Sequence, residues 1–158
     1  MAAVYILIGI PGAGKTTYAK SFLQDTVYLG TDSIRKELFG KELTLKGRKC
    51  VYDLLFSRLH AALKQNQDVV IDCTNFSIKR RKGILSQIPK EYRRIAVFLN
   101  TPLPVALQNN KRRKRHVPAI GIALMYLQLQ RPRASEGFHE IIEVESNSVT
   151  RLKKSESF

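Results

Sequence analysis

The run Gly9-Ile10-Pro11-Gly12-Ala13-Gly14-Lys15-Thr16 satisfies the pattern G-x-x-x-x-G-K-[ST] in full, and no other feature constrains the fold as strongly. Glycines let the backbone turn its N–H groups inward with no Cβ in the way, which makes a nest for anions. Gly14 then opens a helix whose free amides and positive dipole end face the same point. Glycine makes up about 7% of residues in general, so a chance match in so short a chain is expected in fewer than roughly one sequence in a hundred. Context sharpens the reading. The motif follows Val4-Tyr5-Ile6-Leu7-Ile8, a continuous apolar run rich in β-branched residues that reads as a strand buried on both faces.

The rest of the chain repeats that alternation. A helix is expected over 15–24, a second strand over 27–29, and a short helix over 33–39 that stops at Gly40. The longest helical stretch covers 46–66, with apolar residues at 3–4 spacing and Arg58 as one polar interruption. Val69-Val70-Ile71 is the third strand and ends on Asp72. A basic amphipathic helix over 77–88 is halted by Pro89, and 95–99 is the fourth strand. Helices over 102–110 and from Val117-Pro118 to about residue 130 flank the basic run 111–116, and 140–145 is the last strand. Buried strands alternating with helices give an α/β fold, a parallel sheet of about five strands flanked by helices. One domain over 1–145 is expected, with a lid at about 108–119, and a loose polar tail over 146–158.

Charge narrows the partners. The 158 residues hold 27 Lys plus Arg against 13 Asp plus Glu, a net +14. Such a field draws polyanions, so nucleic acid leads and an anionic membrane surface comes second. No apolar run reaches the length of a membrane span. Cys50 and Cys73 form neither a CxxC pair nor a disulfide framework, and residues 1–10 lack the basic start of a signal peptide. These features point to the cytoplasm.

Within this frame the residue types suggest roles. Lys15 supplies a point charge to the β- and γ-phosphates of ATP, and the Thr16 hydroxyl would ligate Mg²⁺. Asp72, closing a buried strand, is the second metal-site candidate, with a turn or cap role as the alternative. Asp32 follows the second strand and so falls at the carboxyl edge of the sheet, where ligands bind; it is the candidate general base, or else the N-cap of its helix. Arg35 sits one helical turn on and suits a substrate phosphate, the alternative being a solvated surface arginine. Lys111-Arg112-Arg113-Lys114-Arg115 is read as a cationic lid rather than a merely solvated loop. Lys79-Arg80-Arg81-Lys82 is read as phosphate contacts or a solvated helix face. Tyr28, Tyr52, Phe56 and Phe76 are candidates to stack a terminal base, with core packing the commoner role.

The ordered set Gly9-Ile-Pro-Gly-Ala-Gly-Lys-Thr-Thr17, Gly30-Thr-Asp32-Ser-Ile-Arg35, Val70-Ile-Asp72-Cys-Thr-Asn75 with Arg80-Arg81, and the basic run before Val117-Pro118 resembles the 5′-polynucleotide kinase domain of phage and bacterial end-healing enzymes. Glu136-Gly137-Phe138 is similar to a segment of small bacterial P-loop kinases of that group. The likeness runs over about 4–144. It implies ATP and Mg²⁺ as cofactors, bound by Gly9, Gly12, Ala13, Gly14, Lys15, Thr16 and Thr17. It implies Asp32 as activator of a 5′-hydroxyl, Arg35 on the phosphate next to the acceptor nucleotide, and Asp72 as organiser of the site. Thr74 and Asn75 join Asp32 and Arg35 as expected acceptor contacts. Arg112 is the lid arginine on the ATP phosphates, so Lys15, Asp32 and Arg112 form the expected catalytic set. The family's lid carries a second arginine one turn earlier; here that position is Gln108, with Lys111 or Arg115 as substitutes. The likeness also implies a lone kinase module, without the phosphatase or ligase domains often fused to such kinases.

Three functions remain open on sequence. The first is ATP-dependent transfer to a 5′-hydroxyl end of RNA or DNA, which the net charge favours. The second is a small-molecule kinase acting on a nucleoside, nucleotide-sugar or antibiotic. The third is a nucleic-acid-stimulated ATPase switch that leaves no phosphate on the nucleic acid.

Overall fold

The computed structural model describes residues 1–40, 47–114 and 116–145, together with the backbone of 148–153. The elements follow the expected alternation: β1 (Ala3–Ile8), α1 (Lys15–Phe22), β2 (Val27–Gly30), α2 (Thr31–Phe39), α3 (Arg48–Lys64), β3 (Val69–Asp72), α4 (Ile78–Leu85), β4 (Arg93–Asn100), α5 (Leu103–Lys111), α6 (Ala119–Gln128), a 3₁₀ turn (Ala134–Glu136), β5 (Glu140–Glu145) and β6 (Ser148–Lys153). The sheet order is β2-β3-β1-β4-β5-β6. The first five strands run parallel. Every parallel strand therefore ends at the same edge, and β1 sits where the chain order reverses between its neighbours. That crevice is where open α/β sheets bind ligands.

The alternation within β1 explains two core layers. Val4, Ile6 and Ile8 face one layer, filled by α3 and α4 through Val51, Leu55 and Leu59 with Ile84 and Leu85. Ala3 and Leu7 face the other, filled from α1, α5 and α6 by Tyr18, Ala19, Ala106 and Ile122. Strands covered on both faces need no polar alternation, which is why these runs are continuously apolar. Arg58 interrupts the apolar face of α3 because it reaches Glu37 of α2 with two hydrogen bonds, at 2.6 and 2.9 Å. No described helix is long and apolar enough to cross a membrane.

Three local features depart from the sequence expectation. Residues 146–158 do not all form a loose tail: Ser148–Lys153 pairs antiparallel with β5, Val149 opposite Val144 and Leu152 opposite Ile141. The open edge of β5 offers unpaired backbone groups, and this segment satisfies them. The basic face of α4 is not wholly solvated either. Lys79, Arg80 and Lys82 are exposed, but Arg81 is fully buried. Its guanidinium donates to Glu136 at 2.7 and 2.9 Å and to the carbonyls of Asn75 and Gln130, each at 2.9 Å. Finally, α2 starts at Thr31 with Gly30 at its N-cap and no side-chain cap, so Asp32 lies inside the first turn and does not cap the helix.

Candidate active site

The loop after β1 has the shape its glycines permit. Gly12 and Gly14 take φ of +83° and +94°, a region that L side chains enter only with strain. Gly12 has a second constraint, since a Cβ there would collide with the Ala106 carbonyl of α5. α5 also reaches back, with Asn109 Nδ2 donating to the Gly12 carbonyl at 2.9 Å. Thr101, just past β4, donates its hydroxyl to the Ala13 carbonyl at 3.0 Å. The loop is thus clamped from outside, and Gly14 opens α1 with no side chain claiming the helix's first amides. Those amides are left for an anion.

Lys15 curls over the loop, its ammonium donating to the carbonyls of Gly9 and Ile10 at 3.0 and 3.1 Å. Burial pushes its pKa below the ordinary lysine value, while the charge of Asp72 opposes that shift and the charge of Arg113 adds to it. A cation held in this way is strengthened by a phosphate, which would offset both its desolvation and its repulsion from Arg113.

Asp72 ends β3 opposite the loop and is buried. Its Oδ2 accepts from the Thr16 hydroxyl at 2.7 Å and from the Tyr28 hydroxyl at 2.6 Å. Burial first, then the charge of Asp72, raise the Tyr28 pKa well above the ordinary tyrosine value. A hydroxyl and a carboxylate in contact are the hard oxygen donors that Mg²⁺ takes alongside nucleotide phosphates. The residues expected to hold the metal, Thr16 and Asp72, are therefore together and chemically suited. Among the described residues no cluster of three His, Cys, Asp or Glu side chains is placed to hold a metal ion.

The loop has two sides. On the β4–β5 side lies a cavity of about 520 Å³, lined at its polar end by Gly14, Lys15 and Thr16 and at its apolar end by Phe22, Leu99 and Val144. Its size and its apolar end suit a nucleoside triphosphate. Arg112 and Arg113 line the same cavity. The base of this lid is pinned by buried Asn110, whose side chain donates to the Val117 carbonyl at 2.8 Å and accepts from the Val117 amide at 3.0 Å. Gln108 is exposed, and the second lid cation at the cavity is Arg113, which also faces Lys15. Lys111 is exposed at the end of α5, and Arg115 lies outside the described residues.

On the β2–β3 side stand Asp32 and Arg35, joined by a 3.0 Å ion pair with Arg35 the more sheltered partner. Asp32 is close enough that its charge bears on Lys15. Asn75, expected as an acceptor contact, has its side chain engaged within the fold. Asn75 is buried, has φ +49°, donates to the Leu7 carbonyl at 3.0 Å and accepts from the Cys73 thiol at 3.0 Å. It braces the ends of β1 and β3, and its side chain is engaged at both ends. Thr74 is half-buried, its carbonyl taking the Gly9 amide at 3.1 Å.

Sequence reasoning missed Thr101, Asn109 and the role of Tyr28, and it placed Arg113 in the lid run without assigning it to the cavity. The position of Thr101 after a strand at the ligand edge was the one available signal. Asn109 and Arg113 act through a long-range clamp and a lid register that no local pattern encodes. Tyr28 is neither core nor stacking platform, since its ring folds across Gly30 to reach Asp72.

Comparison with known proteins agrees with this architecture. An L-seryl-tRNA(Sec) kinase from Methanococcus maripaludis is 29% identical over 137 residues, covering 80% of this chain and 52% of the relative. A solved Pnkp1/Rnl/Hen1 RNA repair complex contains a chain with TM-score 0.74 and 21% identity, covering 82% of this chain and 44% of that one. A sugar kinase from Janibacter sp. has TM-score 0.68 and 20% identity, covering 94% of this chain and 87% of its own. The chain thus spans about half the length of the curated relative. At these identities the solved structures establish the P-loop kinase fold alone. The model of a family described as an AAA domain matches residues 4–132, most of the chain, and the protein belongs to that family.

Proposed function

We propose that this protein transfers the γ-phosphate of ATP to a hydroxyl on nucleic acid, a 5′-hydroxyl end of RNA or DNA being the acceptor. The observation that carries the reading is the Asp32–Arg35 pair at the carboxyl edge of β2, across the loop from the nucleotide cavity. ATP would lie with its phosphates on the amides of α1 and on Lys15, its base end toward Phe22 and Val144. When bound, Mg²⁺ at Thr16 and Asp72 would offset charge on the β- and γ-phosphates. Asp32 accepts a hydrogen bond from the acceptor hydroxyl. As that oxygen bonds to the γ-phosphorus, the bond to the β–γ bridging oxygen breaks, ADP leaves, and the proton passes to Asp32. Lys15, Arg112 and Arg113 offset charge on the transferring group. Arg35 holds the phosphate on the 3′ side of the acceptor sugar.

The net charge of +14 supports a polyanionic acceptor. So does the 29% identical relative, whose name puts its acceptor on a tRNA. That relative also favours a second reading, in which the acceptor is the side-chain hydroxyl of an aminoacyl-tRNA. Labelled ATP offered with Mg²⁺ to 5′-hydroxyl and 5′-phosphate oligonucleotides, L-seryl-tRNA and a panel of sugars separates these cases. Label on the 5′-hydroxyl strand alone upholds the proposal. Label on seryl-tRNA selects the second reading, label on a sugar a small-molecule kinase, and ATP consumed with no labelled acceptor a switch ATPase.

A further inference from the structure

Gly30, at the end of the edge strand β2, is a glycine that its own backbone does not require. Its φ of −100° and ψ of 129° are extended values that any residue adopts. A Cβ there would nevertheless meet Cε1 and the hydroxyl oxygen of Tyr28, each at 2.8 Å. Residues 28 and 30 share one face of the strand, and Gly30 stands in register with Asp72 of β3. The Tyr28 ring therefore lies along β2 where a side chain at 30 would be, and its hydroxyl reaches Asp72 Oδ2 at 2.6 Å. Tyr28 is 41% exposed and belongs to neither core layer, so packing does not account for this placement.

The same carboxylate oxygen accepts from Thr16 at 2.7 Å. A threonine hydroxyl whose proton is committed to a carboxylate keeps its lone pairs for a cation. That commitment depends on the carboxylate being held still. Asp72 is buried, and among the described residues its Oδ2 takes the two hydroxyls while Oδ1 takes no hydrogen bond. Thr16 belongs to α1, directly after the phosphate loop, whereas Tyr28 stands on β2 and fixes the carboxylate from outside the loop. Partners of this kind orient the groups that hold a metal, and losing one typically costs about 10–100-fold in metal affinity.

We propose that Tyr28 is a positioning residue for the magnesium site, acting through Asp72, and that position 30 is glycine so that the tyrosine can reach. The strut is complete without nucleotide. It governs what magnesium adds to nucleotide binding and leaves the binding of metal-free nucleotide alone. The inference rests on Thr16 and Asp72 being the magnesium site and is independent of which hydroxyl accepts the phosphate.

Calorimetric titration of the full chain with ADP, once in Mg²⁺ and once in EDTA, tests this. Wild type should bind ADP more tightly with magnesium. In Tyr28→Phe the affinity in EDTA should match wild type, while the gain from magnesium should fall about tenfold. Gly30→Ala keeps the hydroxyl but pushes the ring aside, and it should lose the same gain. The double variant should be no worse than either single one, because both changes remove one contact. An undiminished gain in Tyr28→Phe, an equal loss in magnesium and in EDTA, or additive losses in the double variant would overturn the inference alone. Wild-type affinity indifferent to magnesium would refute Thr16 and Asp72 as the metal site, and the role of Tyr28 with it.

Discussion

Replacing Glu136 by Gln should cost about 3–5 kcal/mol of stability, although this residue touches neither cavity nor acceptor corner. Glu136 and Arg81 are 2% and 0% exposed. The carboxylate takes both forks of the guanidinium, at 2.7 and 2.9 Å, and also the Arg133 amide at 2.8 Å. Glutamine keeps the volume and one acceptor oxygen but leaves the Arg81 charge with neutral acceptors alone. Arg81→Met should cost at least as much, because it strands the Glu136 charge and also frees the carbonyls of Asn75 and Gln130, each worth about 1–3 kcal/mol if left unpaired. A domain of this size has roughly 5–15 kcal/mol in total, so urea unfolding of the milder Gln variant is the practical assay. Adding Glu136→Leu to Arg81→Met removes the stranded charge, and the double variant should be at least about 2 kcal/mol more stable than the sum of the single losses implies. A loss below about 1 kcal/mol in Glu136→Gln, or strict additivity in the cycle, would refute a buried charge pair as the clasp between α4 and the 3₁₀ turn.

Gly12→Ala should abolish nucleotide binding with a stability loss of about 1–3 kcal/mol, since the new methyl meets the Ala106 carbonyl and φ is +83°; ADP titration and melting check it, and unchanged affinity would contradict the clamp. Lys15→Ala should lower phosphoryl transfer by about 10²-fold or more, read with labelled ATP, and wild-type rates in the variant would remove the loop lysine from the chemistry. Cys73 governs an alkaline effect. Burial, then the charge of Asp72, push its thiol from 9.0 up to about 12. The folded chain keeps a proton that the unfolded chain releases, so this stabilising contribution is full below pH 9 and is lost as pH rises toward 12, by up to about 1.4 kcal/mol per unit. Cys73→Ala should therefore flatten the loss of stability in urea unfolding from about pH 8 to about pH 11, and parallel curves for variant and wild type would contradict the shift.

What was legible in the sequence was whatever local pattern encodes. The strands that carry the site are buried on both faces and so read as uninterrupted apolar runs, and the loop glycines read as a nest because only glycine takes φ near +90° there. Asp72 and Asp32 were legible from strand ends. Arg81 was not, because its partner is 55 residues away and a basic tetrad on a short helix reads as solvated. Asn75 looked like a ligand contact because its brace to Leu7 spans 68 residues. Arg112 was expected at the cavity and lines it, but a run of five cations carries no periodicity to show that Arg113 stands there with it. The strand Ser148–Lys153 was hidden because a polar edge strand is held by backbone pairing, not by apolar side chains.

The most direct test of the account is Asp32→Asn, assayed for ATP affinity and for single-turnover transfer to a 5′-hydroxyl oligonucleotide. Asp32 is partly exposed and does not cap α2, so the fold and ATP binding should survive the change. Transfer should fall by about 10²–10⁴-fold, the range a general base supplies. Transfer at the wild-type rate, or a loss that merely follows a lowered melting temperature, would contradict the claim that this carboxylate takes the acceptor proton.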